Sequence, residues 1–106
     1  MKKAVVEFEG FLTNETEETY APLSYVVEPN IKNIGVLAEL IDSGVEVYIL
    51  SSRPLDAASK GTVYKSATIG WLIQNGLTRS QAKALNFVYL DGLPPLCDFY
   101  SSRPRK

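Results

Sequence analysis

Histidine is absent from this chain of 106 residues, and cysteine occurs only once, as Cys97. Without an imidazole the chain has no Ser-His-Asp triad, no histidine general base and no metal site that needs a histidine ligand. With a single thiol it has no intrachain disulfide and no cysteine-rich zinc site. The commonest arrangements for nucleophilic hydrolysis and for structural zinc are therefore excluded.

The chain also lacks a strong net charge and a long apolar run. Its net charge is −1, from 11 basic and 12 acidic residues, which argues against general nucleic-acid binding and against a membrane surface. Its apolar runs are far shorter than the ~20 residues of a membrane span. Glu7 and Glu9 interrupt the segment after Met1-Lys2-Lys3, so we expect no signal peptide and a cytoplasmic protein. The basic tail from about Arg103 is expected to be solvated.

The apolar segments that are present alternate between strand-like and helix-like patterns. The length favours one domain spanning 1–106, with little room for a cap domain. Short runs rich in β-branched and aromatic residues predict strands, and apolar residues at helical spacing, bounded by cap and stop residues, predict helices. The predicted strands are Ala4–Phe8, Val45–Leu50, Phe87–Leu90 and Cys97–Tyr100, and the predicted helices are a first one from Pro29 to Gly44, Val63–Asn75, and a short turn after Thr78.

Strands that alternate with helices and are almost continuously apolar are typical of a parallel sheet. The predicted fold class is therefore α/β, a Rossmann-like parallel sheet with helices on both faces and no cap domain. Three details are specific enough to check. Pro29 is expected in the first helical turn, Thr78 and Gln81 are expected to form a capping box, and 13–19 is expected to be an exposed loop.

Polar residues follow the predicted strands where each strand ends. In open parallel sheets ligands bind at the carboxyl ends of the strands. Glu7 and Glu9 at the first end form a pair that is suited to a hard cation such as Mg²⁺, and the hydroxyl and guanidinium groups at the other ends are suited to an anion. The candidate site residues are Glu7 and Glu9 for catalysis and metal, Ser51, Ser52, Arg53, Ser101, Ser102 and Arg103 for ligand binding, and Asp91 with Gly92 at the third strand end.

Taken together and in order, these segments resemble the haloacid dehalogenase superfamily, and in particular its small, capless members related to phosphatases and often found in phage genomes. Val5 to Thr13 (VVEFEGFLT) is similar to the first family motif, a strand followed by Asp-x-Asp-Gly-x-Leu-Thr. Val47 to Arg53 (VYILSSR) is similar to the second motif, and Phe99 to Arg103 (FYSSR) stands where the fourth motif has an acidic pair. The resemblance covers nearly the whole chain and implies a haloacid dehalogenase-like fold.

The chain departs from the family pattern at the nucleophile, the general acid/base, the metal ligands and the lysine that neutralises the phosphoryl group. The resemblance assigns a nucleophile to position 7 and a general acid/base to position 9, but both aspartates are replaced by glutamate, whose extra methylene misplaces the reacting oxygen. A misplacement of about 1 Å costs on the order of 10²-fold in rate. Ser101 and Ser102 replace the acidic pair that helps to hold Mg²⁺, and no lysine occurs between Phe87 and Pro95, where the family's third-motif lysine is expected.

Three interpretations of this pattern remain open. The first is a catalytically inactive domain that binds a protein partner or a phosphate-bearing ligand, with no cofactor, as in a phage-encoded regulatory or host-interaction protein. The second is a divergent Mg²⁺-dependent phosphatase that uses Glu7 and Glu9. The third is a homo-oligomeric module in which an edge strand such as Phe87–Leu90 pairs between chains.

Overall fold

A computed structural model describes residues 2–14, 27–51, 60–88 and 97–101 of the chain. Within these ranges the chain forms four strands and three helices in the order β1-α1-β2-α2-α3-β3-β4. The elements are β1 (Lys3–Glu7), α1 (Ile31–Asp42), β2 (Glu46–Leu50), α2 (Lys60–Gln74), α3 (Arg79–Lys83), β3 (Asn86–Val88) and β4 (Asp98–Tyr100).

The four strands form one sheet in the order β3-β2-β1-β4, and every neighbouring pair is parallel. The predicted α/β class with a parallel sheet is therefore confirmed. The chain moves from β1 outward through β2 to β3, and then returns past β1 to add β4 on the other side. The direction of winding thus reverses at β1, and in open α/β sheets such a reversal is where ligands bind.

A cluster of buried apolar residues lies on one face of this sheet. Val6, Val47 and Ile49 project toward the same side, because residues in register point the same way in a parallel pair. They join one cluster with buried residues of the helices, including Leu37 of α1 and Leu72 of α2. Val5 is directed to the opposite face and is also fully buried, so the central strand is covered on both sides. That helices cover the second face as well stays a prediction.

Several sequence predictions about the ends of elements can be checked. The capping box is confirmed, because the Thr78 and Gln81 side chains each bond the other's backbone N–H. Gly44, where the first helix was expected to end, has a φ of 81° two residues after the last residue of α1, as is common for a glycine that closes a helix. The expectation for Pro29 is wrong, since it pairs with Thr13 in an antiparallel bridge, while the extended Asn30 caps α1 through a bond from the Asn33 N–H.

Three further boundaries differ from the expectations. β1 ends at Glu7, so Phe8 already belongs to the turn that follows it. α2 begins at Lys60, before the predicted start at Val63. Thr13 is fully buried and is not part of an exposed loop. Of the other residues of that predicted loop, Asn14 is exposed as expected, and 15–19 lie outside the described residues.

Among the residues that the structure describes, no helix has the length and apolar character needed to cross a membrane.

The polar contacts at the amino end of the sheet are ordinary surface interactions. Lys2 lies 3.4 Å from Asp98, and Lys3 lies 4.0 Å from Glu46. The Tyr48 hydroxyl donates a hydrogen bond to the same Glu46 carboxylate.

This Tyr48–Glu46 contact predicts a pH dependence of stability at alkaline pH. The hydrogen bond to Glu46 raises the pKa of Tyr48 above its ordinary value, and burial and the negative charge of Glu46 act in the same direction. The folded state therefore favours the protonated phenol. Its stabilising contribution is complete below about pH 10, the unfolded value, and is lost as pH rises through the higher folded value.

The measurement is a series of urea unfolding curves between pH 8 and pH 11 for the natural chain and for Tyr48→Phe. The difference in free energy of unfolding between the two proteins is expected to shrink above about pH 10. All other titrating groups are shared and cancel in the comparison. A difference that stays constant over this range would contradict the assignment.

Candidate functional site

The carboxyl ends of β1, β2 and β4 lie side by side at one edge of the sheet. Glu7 is in register with Leu50, so Ser51 follows directly beside the end of β1. Val6 is in register with Tyr100, which places Ser101 beside Glu7. This edge therefore brings together Glu7, Ser51 and Ser101, which are distant in sequence, as the parallel-sheet prediction required.

A tight turn, Phe8–Leu12, returns the chain after β1 and places Glu9 at the same edge. The Thr13 N–H closes the turn by donating to the Phe8 carbonyl at 3.1 Å. Glu9 is extended, and Gly10 has a φ of 86°. A side chain at position 10 would be strained in this left-handed conformation, so glycine is the residue that lets the turn reverse.

Side-chain and backbone groups from outside the turn hold its backbone. The Thr13 hydroxyl accepts the Gly10 N–H at 3.1 Å. The Asn33 amide of α1 donates to the Phe11 carbonyl at 2.8 Å, and the Asn30 N–H donates to the Leu12 carbonyl at 2.9 Å. The turn is therefore fixed against the start of α1 as well as closed on itself.

Glu9 forms a buried hydrogen bond with Ser51. Its side chain returns toward β2, and only 3% of the residue is exposed. The Ser51 hydroxyl, also buried, donates to Glu9 Oε2 at 2.6 Å. A bond of this length from a hydroxyl to a carboxylate belongs to the stronger class of hydrogen bonds.

Glu7 forms the equivalent pair on the other side of β1. The Ser101 hydroxyl donates to Glu7 Oε1 at 2.8 Å, and both residues are half-buried. The two glutamates therefore engage different neighbouring strands, Glu7 the β4 end and Glu9 the β2 end. Beside the Glu7 pair, the rings of Phe11 and Tyr100 meet edge to face, with their centroids 6.1 Å apart.

The oxygen ligands of this edge bear on the predicted magnesium site, which stays a prediction. Mg²⁺ requires near-octahedral oxygen ligation, in which one or two carboxylates are supplemented by waters or substrate oxygens. Here one oxygen of each glutamate accepts a hydrogen bond from a serine hydroxyl. Within the described ranges, no group of three or more His, Cys, Asp or Glu residues is placed to hold a metal ion.

The lysines for which the structure shows contacts are engaged elsewhere. The sequence offers Lys60, Lys65 or Lys83 as substitutes for the missing motif lysine, although none is at a predicted strand end, and the structure shows a contact for Lys65. Its Nζ lies 5.6 Å from the centre of the Phe87 ring, over β3. Lys2 and Lys3 pair with acidic residues at the amino end of the sheet, away from Glu7 and Glu9.

Sequence reasoning thus identifies four residues that the structure brings to one edge, and it overlooks the residues that hold the turn. Asn33 carries no signal in the motif pattern, because it comes from a helix face 22 residues later than its bonding partner Phe11. Thr13 ends the first motif, but the polar run that it begins predicts an exposed loop. The remaining candidate residues lie outside the described ranges, namely Ser52, Arg53, Asp91, Gly92, Ser102 and Arg103.

Comparison with known proteins finds no protein family, no curated protein and no solved structure that matches this chain.

Proposed function

We propose that the chain is a catalytically inactive domain of haloacid dehalogenase-like fold that acts by binding at the carboxyl edge of its sheet. The observation that carries this proposal is the buried Glu9–Ser51 hydrogen bond of 2.6 Å. A general acid or base must lie within hydrogen-bond reach of the substrate proton. Glu9 instead lies 97% buried against a protein hydroxyl, which suits a structural role.

The Glu7–Ser101 pair supports the same proposal. At position 101 the family resemblance implies an acidic residue, which would face Glu7 as a like charge and would favour a bridging cation. The chain has a serine there, and its hydroxyl donates directly to the Glu7 carboxylate. Replacing a second carboxylate by a hydrogen-bond donor removes the like-charge repulsion, so the pair is stable without a metal ion.

The chemistry of this edge favours a protein partner over a phosphate-bearing ligand. The described part of the edge presents two carboxylates and two hydroxyls. A phosphate group would be repelled by the carboxylates unless Arg53 and Arg103 supplied compensating positive charge. A protein partner that offers N–H groups or a cationic side chain meets no such repulsion. We place this activity in the cytoplasm, as expected for a phage-encoded regulatory or host-interaction protein.

One observation favours the alternative, a divergent Mg²⁺-dependent phosphatase. Glu7 is at the end of the central strand beside the reversal of winding, and it is only half-buried. A ligand can therefore approach it more readily than Glu9. In this alternative Glu7 acts as the nucleophile, and Mg²⁺ binds measurably at millimolar concentration.

The proposal is tested by a phosphatase assay with p-nitrophenyl phosphate and nucleotides in the presence of Mg²⁺. We expect no turnover above background for the natural chain. The same low rate is expected for Glu7→Gln and for the control Glu46→Gln, which changes a glutamate at the amino end of β2. Turnover that Glu7→Gln abolishes and Glu46→Gln preserves would establish the phosphatase and refute the proposal.

Binding is tested separately by calorimetry and by pull-down from host extract. Titration with Mg²⁺, inorganic phosphate and nucleotides is expected to give no heat of binding. Glu7→Lys is expected to reduce capture of the same protein partner that the natural chain retains. Phosphate binding that depends on Arg53 would favour the phosphate-bearing ligand, and light scattering would detect the homo-oligomer of the third interpretation.

A further inference from the structure

The turn that presents Glu9 is held from a distant part of the chain. Asn33 lies in the first turn of α1, and its side-chain amide donates to the Phe11 carbonyl at 2.8 Å. Phe11 is two residues after Glu9 and directly follows Gly10, the residue of the turn with a left-handed φ. A rotation of the Phe11 peptide would therefore be passed through Gly10 to the backbone that carries Glu9.

We propose that Asn33 is a positioning residue of the site. By holding the Phe11 carbonyl in place, it keeps Glu9 hydrogen-bonded to Ser51. As a statement about a binding site, this inference rests on the proposed function. Through this bond the start of α1 and the carboxyl edge of the sheet form one unit. A partner that contacts the first turn of α1 would then alter the geometry of Glu9 without touching it.

The two hydrogen-bonding roles of Asn33 are separable, which makes the proposal testable. Its backbone N–H donates to the Asn30 side chain and caps α1, at 3.1 Å. Only its side-chain amide reaches the turn. A change of side chain at position 33 therefore removes the contact with Phe11 and leaves the helix cap in place.

The experiment compares Asn33→Ala and Asn33→Asp with the control Asn75→Ala by NMR. Asn75 donates through the same kind of amide, at the same 2.8 Å, to the Trp71 carbonyl at the end of α2. The readouts are the exchange rate of the Gly10 amide and the ¹³Cδ chemical shift of Glu9. The Glu9 signal is assigned by its disappearance in Glu9→Gln.

Asn33→Ala is expected to speed Gly10 exchange by roughly two- to tenfold, the factor for one lost hydrogen bond, and to move the Glu9 signal. Asn33→Asp should do the same, because its carboxylate cannot donate to a carbonyl, although a negative charge in the first turn stabilises the helix itself. Asn75→Ala should change neither readout.

If Asn33 acts only within the helix, Asn33→Asp is expected to have no effect on the site. In that case Asn33→Asp would leave Gly10 exchange and the Glu9 signal unchanged, and this outcome would overturn the proposal. Movement of the Glu9 signal in Asn75→Ala as well would also overturn it, since the effect would then be general loosening. Neither outcome depends on the phosphatase assay, so failure of the inference is distinguishable from failure of the proposed function.

Discussion

Replacement of Phe8 by alanine is expected to lower the free energy of unfolding by about 3–5 kcal/mol. Phe8 lies between the two glutamates in sequence, yet its side chain is fully buried in the core. Its ring meets Trp71 of α2 edge to face, with centroids 5.1 Å apart and an angle of 74° between the planes. Alanine would leave a cavity at the point where the turn after β1 is anchored to α2.

Urea unfolding followed by circular dichroism measures this change. A domain of this size has a total stability of only about 5–15 kcal/mol, so the variant is expected to be at or near the limit of folding. In Phe8→Leu the new side chain fills most of the space, so this variant should lose clearly less free energy of unfolding than Phe8→Ala. Phe11→Ala serves as a control at a half-buried position of the same turn. A loss below about 1 kcal/mol in Phe8→Ala would show that the turn is not anchored in this way.

Replacement of Ser51 by alanine is expected to cost about 1.5–3 kcal/mol, the range for a hydrogen bond to a charged group. The Ser51 hydroxyl donates to Glu9 where both residues are buried. Alanine removes this donor and leaves the Glu9 carboxylate in the same buried place. The cost therefore includes the penalty of a buried charge that has lost a partner.

Ser101→Ala is the matched control, since its hydroxyl makes the equivalent bond to the half-buried Glu7. It is expected to cost less, because solvent can replace the lost donor more readily there. In a double-mutant cycle, the stability losses of Ser51→Ala and Glu9→Gln should be clearly non-additive. The stability losses of Ser51→Ala and Glu7→Gln should be closer to additive. Equal costs for the two serine variants would contradict the difference in burial on which this prediction depends.

The elements of the fold were largely predictable because their signals are local. The apolar run before Glu7, the left-handed Gly44 and the Thr78–Gln81 capping box each depend on residues close together in sequence. The misassigned residues depend on distant partners. Thr13 is buried and paired with Pro29, and that same pairing keeps Pro29 out of α1.

Part of the candidate site could also be predicted from the sequence. The parallel pattern required Glu7, Ser51 and Ser101 to share one edge, because carboxyl ends of parallel strands meet. It did not determine which glutamate meets which serine. That pairing depends on the strand order β3-β2-β1-β4, which puts β4 and β2 on opposite sides of β1.

By itself, the sequence of this protein determined the absence of histidine chemistry, the alternation of strands and helices, and two glutamates at the end of the first strand. Only the tertiary structure decided that Glu9 is directed to Ser51 and Glu7 to Ser101. The physical reason is the turn at Phe8–Leu12. It reverses at Gly10 and returns Glu9 to the end of β2, where Glu9 bonds Ser51, whereas Glu7 meets Ser101 because β4 lies on the other side of β1.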